Sequence, residues 1–156
     1  MIINDCVLNP RRYTGPVPPP AATLEDVSPY GNNGTINNAD WVRLVSGLWV
    51  LDFDGVGDSV GIPSTPSLEI TGNITCAIWA RGTTFVGDFR TPMGKGAGAD
   101  YYFRTRATGS TFFTVTQAAA AKASPEQVLD LDAWYLLVGV YNGARVYFYA
   151  NDVRGA

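Results

Sequence analysis

The chain has 156 residues, a length that suits one domain with a packed core; 46% are apolar, only 16% are charged, and the net charge is −3. It contains no histidine, which excludes Ser-His-Asp nucleophilic chemistry and His-rich zinc sites and leaves oxygen as the ligand for any metal. Basic residues gather no further than Arg11 and Arg12, and no apolar run approaches the roughly 20 residues of a membrane helix, so neither nucleic acid nor a bilayer is an expected partner.

Residues 1–23 read as a Pro-rich N-terminal arm. Its start, MIINDCVLNPRRYTG, lacks the basic region and following apolar stretch of a secretory signal. The adjacent prolines of GPVPPPAA favour an extended path and donate no ladder hydrogen bonds. A peripheral arm, an edge strand with a Pro-rich exit, and a segment that orders against a partner all fit. Cys6 and Cys76 match no metal spacing and are expected as buried free thiols, with a single disulfide as the alternative.

EDVSPYGNNGT, residues 25–35, is dense in turn formers. Gly31 and Gly34 permit left-handed backbone angles, and the side chains of Asp26 and Ser28 can bond nearby backbone N–H groups, so the turn needs no ligand to exist. The alternative is a calcium loop, since a carboxylate, backbone carbonyls and Asn oxygens are what that ion takes; its ligands would come from Asp26, Asn32 and Asn33.

From about Trp41 the period becomes two. In GLWVLDFDG, Trp49, Leu51 and Phe53 point one way while Val50, Asp52 and Asp54 point the other, and Val60 and Ile62 repeat the pattern. In NITCAIWAR, Ile74, Cys76 and Ile78 oppose Thr75, Ala77 and Trp79; both faces are apolar, which predicts a strand deep in a sheet. Shorter strands are expected at Tyr101–Arg106 and Thr111–Thr116 around a Gly109-Ser110 turn. A helix is expected within Ala118–Leu129, started by Ser124 as N-cap and Pro125 at the first helical position, with a loop before it. WYLLVGVYNGARVYFYAND reads as a hairpin whose Asn142-Gly143 supplies the positive φ angles of a type I′ turn. Many short strands between Gly and Pro turns, with almost no helix, indicate an antiparallel sandwich or barrel.

The order of motifs is informative: DVSPYGNNGT (Asp26–Thr35), LDFDGVGDSVGIP (Leu51–Pro63), ITCAIWAR (Ile74–Arg81), MGKG (Met93–Gly96) and the hairpin Trp134–Asp152. Each is weak alone. In this order they resemble the laminin G-like, concanavalin A-like lectin/glucanase family over residues 24–156. The resemblance implies an all-β, antiparallel jelly-roll β-sandwich, and it implies that Asp26 stands where members often hold calcium with help from an acidic residue of the closing strands. The chain departs from the pattern by opening with the Pro-rich arm and by stopping at Ala156, before those strands. It is expected either to be a fragment of a longer polypeptide or to be completed by a neighbouring chain, because a sandwich cut there leaves open edges.

The glucanase relatives carry E-x-D-x-x-E on one strand, and no such run is present, so catalysis is not expected. Asp52, Asp54 and Asp58 read as an exposed strand face and its turn. The tryptophans, at least three of the four, are expected in the core. Exposed tyrosines beside Asn and Asp are how lectin-like sites grip sugar rings, and Tyr30, Asp58, Tyr101 and Tyr102 are the candidates; such tyrosines also serve as ordinary surface or protein-interface residues. The expected function is a non-catalytic recognition or adhesion module for a glycan or a protein surface, within a larger extracellular or virion surface assembly of the decoration or tail-fibre type, with neighbouring subunits as partners. The alternatives are a purely structural capsid-decorating domain and, behind it, a glycoside hydrolase.

Overall fold

The computed structural model describes residues 10–87, 90–96, 101–117, 120–151 and 153–155. Cys6, the first residues of the arm, Ala118, Asp152 and Ala156 therefore lie outside the described residues. The chain divides into two compact units, Met1–Glu69 and Ile70–Ala156. No α-helix occurs among the described residues, and none of them forms a helix long and apolar enough to cross a membrane.

The first unit holds β1 (Thr23–Leu24), β2 (Gly34–Asn37), β3 (Asp40–Arg43), β4 (Trp49–Asp52), β5 (Ser59–Gly61) and a 3-10 turn, Pro66–Leu68. They form an antiparallel three-stranded sheet in the order β1-β2-β5 and a β3-β4 pair. Along β2, Gly34 and Ile36 turn inward and Thr35 and Asn37 outward. Gly34 is small for a reason: a Cβ there would stand 2.6 Å from Cγ1 of Val60 on β5. The described part of the arm runs along this unit. Trp49 Nε1 donates to Gly15 O at 3.0 Å, Trp41 Nε1 donates to Pro20 O at 3.1 Å, and the Tyr13 ring meets Trp41 edge-on at 5.4 Å. The tryptophan N–H groups thus supply donors to carbonyls of an arm whose prolines have no N–H to give. The alternation expected around Trp49 is only partly realised: Trp49, Val50 and Leu51 are all half-buried, and Phe53, past the strand end, is 49% exposed.

The second unit holds β6 (Ile74–Arg81), β7 (Gly94–Lys95), β8 (Tyr101–Thr105), β9 (Ser110–Gln117), β10 (Ala120–Ala123), β11 (Gln127–Val128), β12 (Trp134–Tyr141), β13 (Val146–Ala150) and β14 (Val153–Arg154). One sheet runs β10-β9-β8-β7 with β11 also on β9; the other runs β14-β13-β12-β6, and every pairing is antiparallel. Phe103 and Phe113 from the first sheet meet Leu137 and Phe148 from the second in a shared core, with Phe103 4.9 Å from Phe113 and 6.1 Å from Phe148 between ring centroids. Each of these residues alternates with neighbours of the opposite face, so two layers close over one interior. The expected β-sandwich is therefore present. Gly139 makes the closest approach possible: a Cβ there would run into the ring of Phe113. Cys76, on the inward face of β6, is a buried free thiol whose pKa burial pushes up to about 12.

Four expectations are corrected, the first being the core tryptophans: Trp41, Trp49 and Trp134 are half-buried, Trp79 is exposed, and none belongs to the buried core. The helix within Ala118–Leu129 is absent: Ala120–Ala123 pairs with Thr114–Gln117 of β9 and Gln127–Val128 with Ser110 and Thr111. Ser124 caps nothing, because its hydroxyl accepts from Phe113 N–H at 3.0 Å while its own N–H donates to Phe113 O. An available sheet edge outcompetes a marginal short helix. In the β12-β13 hairpin, Asn142 N–H donates to Arg145 O at 3.2 Å and only Gly143 has positive φ, at 86°. The turn centres on Gly143-Ala144 and has the II′ pattern rather than I′, while the Asn142 side chain accepts from the N–H groups of Ala144 and Arg145. Finally, β6 is not deep in its sheet: it stands last in the strand order, and its Thr75, Ala77, Trp79 and Arg81 face is exposed.

Glu126 ties the β8-β9 turn to the segment before β11. Its carboxylate accepts a hydrogen bond from the Ser110 hydroxyl, and it receives Arg106 Nε and Nη2, each at 3.1 Å. The Ser110 hydrogen bond, the largest cause, holds its pKa below the usual glutamate range; burial opposes it and Arg106 adds to it. A depressed folded-state value means stability that is present above the unfolded glutamate range, about 4.3, and is lost as pH falls through it and below. Glu126→Gln is therefore expected to flatten the acid limb of the stability curve. Urea midpoints of both proteins between about pH 7 and about pH 3 test this, and parallel curves would refute it.

Candidate functional site

The Asp26 turn is built by its own side chains. Asp26 Oδ1 accepts from Ser28 N–H at 2.9 Å, and Oδ2 accepts from Ser28 Oγ at 2.6 Å and from Asn32 N–H at 2.7 Å. Asn33 Oδ1 accepts from Asp26 N–H at 2.8 Å. Asn32, 3% exposed, accepts from Thr65 Oγ1 at 2.7 Å through Oδ1 and donates to Ser67 Oγ at 3.0 Å through Nδ2. A calcium ion needs six to eight oxygens turned toward one point. Here the carboxylate and both Asn oxygens that would supply its shell are committed to donors of the turn and of the Thr65–Ser67 segment. As arranged, these residues do not fit a calcium site. They fit an Asx-type turn that fastens one end of β2 to the 3-10 segment.

Asp58 is likewise a turn residue. Its Oδ2 accepts from Asp54 N–H at 2.8 Å, and Asp54 Oδ1 accepts from Val56 N–H at 2.6 Å. Tyr30 is 51% exposed at the tip of the Asp26 turn, its backbone N–H donating to Ser28 Oγ. In the second unit Tyr101 is a core residue, 8% exposed, so its ring offers no free face to a sugar. Tyr102, on the opposite face of β8, is half-buried with the Arg104 guanidinium 4.4 Å over its ring. The four candidates thus divide between the two units, and Tyr101 and Tyr102 lie on opposite faces of β8.

The surface that does gather aromatic groups is one the tyrosine search missed: the outer face of the β14-β13-β12-β6 sheet. Register places Trp79 opposite Leu136, Ala77 opposite Val138, Val138 opposite Tyr149, and Val140 opposite Tyr147. Trp134 pairs with Arg81 and Tyr149 with Arg154. Each strand presents these residues on the face away from Cys76, Leu137 and Phe148. Trp79 is 61% exposed, while Trp134, Leu136, Val138, Val140, Tyr147 and Tyr149 are half-buried. The Arg81 guanidinium lies 5.6 Å from the Trp134 ring and that of Arg154 lies 4.6 Å from the Tyr147 ring. The signal was visible in NITCAIWAR, whose second apolar face was read as core.

Among the described residues, no group of three or more His, Cys, Asp or Glu side chains is placed to hold a metal ion. A laminin G family model, described as the concanavalin A-like lectin/glucanases superfamily, matches residues 54–154. Searches of curated proteins and of solved structures returned no match. The matched span takes in β5 to β14, including both layers of the sandwich and the aromatic face. With antiparallel sheets throughout and a match over most of its length, this chain belongs to the concanavalin A-like lectin/glucanases superfamily.

Proposed function

We propose that the chain is a non-catalytic recognition module that binds glycans through the outer face of the β14-β13-β12-β6 sheet. Laminin G and concanavalin A-like domains are carbohydrate- or protein-binding modules and are typically extracellular. The observation that carries the reading is Trp79, 61% exposed amid Trp134, Leu136 and Val138 on a sheet whose other face already supplies the core. Folding has no need of an indole in water at that position, since burying such a ring is favourable and exposing it forgoes the gain. A flat aromatic surface matches the apolar C–H face of a pyranose ring, and half-buried neighbours hold it rigid, which lowers the entropy lost on binding.

Absence of catalysis fits the same residues. Asp26, Asp54, Asp58 and Glu126 all accept hydrogen bonds that hold local structure, and the outer face carries no carboxylate among the positions named. Glycoside cleavage needs a carboxylate pair flanking the bond. A place in a larger extracellular or virion surface assembly, beside neighbouring subunits, is part of the same reading.

The test is a glycan array followed by titration of the strongest neutral ligand. Trp79→Ala is expected to weaken binding roughly 30-fold, the loss of an interface hot spot of about 2 kcal/mol, while leaving the unfolding midpoint nearly unchanged. Wild-type affinity in the variant would take the site off this face, and silence across the array together with stoichiometric incorporation into purified particles would replace this reading with the purely structural one.

A further inference from the structure

The outer face has a charge character that the chain as a whole lacks. The protein carries 14 acidic and 11 basic residues. Yet the positions that point outward on β6, β12 and β13, namely Thr75, Ala77, Trp79, Arg81, Trp134, Leu136, Val138, Val140, Tyr147 and Tyr149, include no carboxylate, and Arg154 of β14 joins them opposite Tyr149. The face is therefore apolar with two guanidinium groups. Among the described residues neither Arg81 nor Arg154 has an ion-pair partner; each instead stacks on an aromatic ring. A guanidinium held over a ring keeps its N–H donors, and these match a carboxylate in two parallel hydrogen bonds.

The arginines stand at opposite corners. Arg81 pairs with Trp134 on the β6 side, whereas Arg154 pairs with Tyr149, itself opposite Val138. Three strand spacings separate them across the sheet, about 14 Å, and four residues along it, about 13 Å, which puts them roughly 20 Å apart on the diagonal with the apolar platform between. That is the span of an oligosaccharide, not of a single sugar.

Resting on the glycan-binding reading, we propose that this face selects polyuronates: chains of pyranose rings that each carry a carboxylate, with ring faces lying on Trp79 and its neighbours and carboxylates reaching Arg81 and Arg154. A second copy of this protein is a poorer occupant, because the face offers guanidinium groups and no carboxylate to receive them. An acidic protein patch would satisfy the charges but not the flat platform between them.

The experiment titrates the whole chain with a polygalacturonate hexasaccharide, with the same hexasaccharide fully methyl-esterified, and with galacturonate monosaccharide. The esters keep the rings and remove the charge. The acid hexasaccharide is expected to bind more tightly than its ester by about fivefold for each arginine engaged, an advantage that shrinks as salt is raised. Arg81→Gln and Arg154→Gln should each remove about fivefold, and the double variant should bind acid and ester alike with an unchanged circular-dichroism spectrum. The monosaccharide should bind far more weakly than the hexasaccharide. Equal binding of acid and ester by the wild type would overturn the charge selection while leaving the glycan platform standing. An acid preference that survives in the double variant would overturn the assignment to these arginines. No binding of either hexasaccharide, or a dimer in sedimentation that Trp79→Ala dissolves, would overturn the polyuronate proposal; the neutral-ligand titration of Trp79→Ala then decides separately whether the glycan reading falls with it.

Discussion

Phe113→Ala is expected to destabilise the second unit by about 3–5 kcal/mol. The ring is fully buried, 4.9 Å from Phe103, and it fills the space left by Gly139 on the facing sheet. Removing it takes away apolar burial and opens a void between two sheets whose spacing is fixed by Phe103, Leu137 and Phe148, so collapse recovers little. The reverse change gives an independent check. Gly139→Ala drives a methyl group into the same ring and should cost about 1–3 kcal/mol. Combined with Phe113→Leu it should cost less than the sum of the two single changes, because the smaller side chain makes room for the methyl. Urea denaturation of Phe113→Ala, Gly139→Ala, Phe113→Leu and the Gly139→Ala/Phe113→Leu double variant measures all of this. A loss below about 1 kcal/mol for Phe113→Ala, or strict additivity of the pair, would mean the two layers do not meet here.

Asp26→Ala is expected to loosen the first unit by about 2–3 kcal/mol, because three donors lose their acceptor at once and one of them belongs to the buried Asn32. The consequence spreads through Asn32, whose side chain holds Thr65 and Ser67. Faster hydrogen exchange is expected in peptides covering β2 and the Pro66–Leu68 turn, with β12 and β13 unaffected. The same loss should appear in millimolar calcium and in chelator, since the carboxylate acts through the N–H and O–H groups it accepts. Protection of β2 that rises on adding calcium to the wild type, and fails to rise in Asp26→Ala, would restore the metal reading.

Much of the architecture could be read from residue order because strand periodicity is local. The residue pattern in ITCAIWAR and in the Trp134–Ala150 hairpin identifies the strands, and Asn142-Gly143 marks the turn within one position of where it lies. The Asp26 turn was legible for the same reason: its Asp, Ser and Asn side chains bond to backbone within a few residues. The polar bonds from Asn32 to Thr65 and Ser67 cross more than 30 positions and left no trace in the local pattern.

What the sequence determined by itself was the class of protein: an all-β chain of this superfamily, with its long strands and most of its turns. What only the tertiary structure decided was which apolar surface meets another and which meets water. Trp79 and Cys76 sit on one strand with apolar neighbours on both sides, and nothing within that strand distinguishes core from platform. The choice depends on the partner sheet, which packs Phe103 and Phe113 against one face of β12 and β13 and leaves the other half-buried. The same dependence converted an alanine-rich segment into β10, because the exposed ladder of β9 offered its backbone hydrogen bonds that an isolated helical turn could not match.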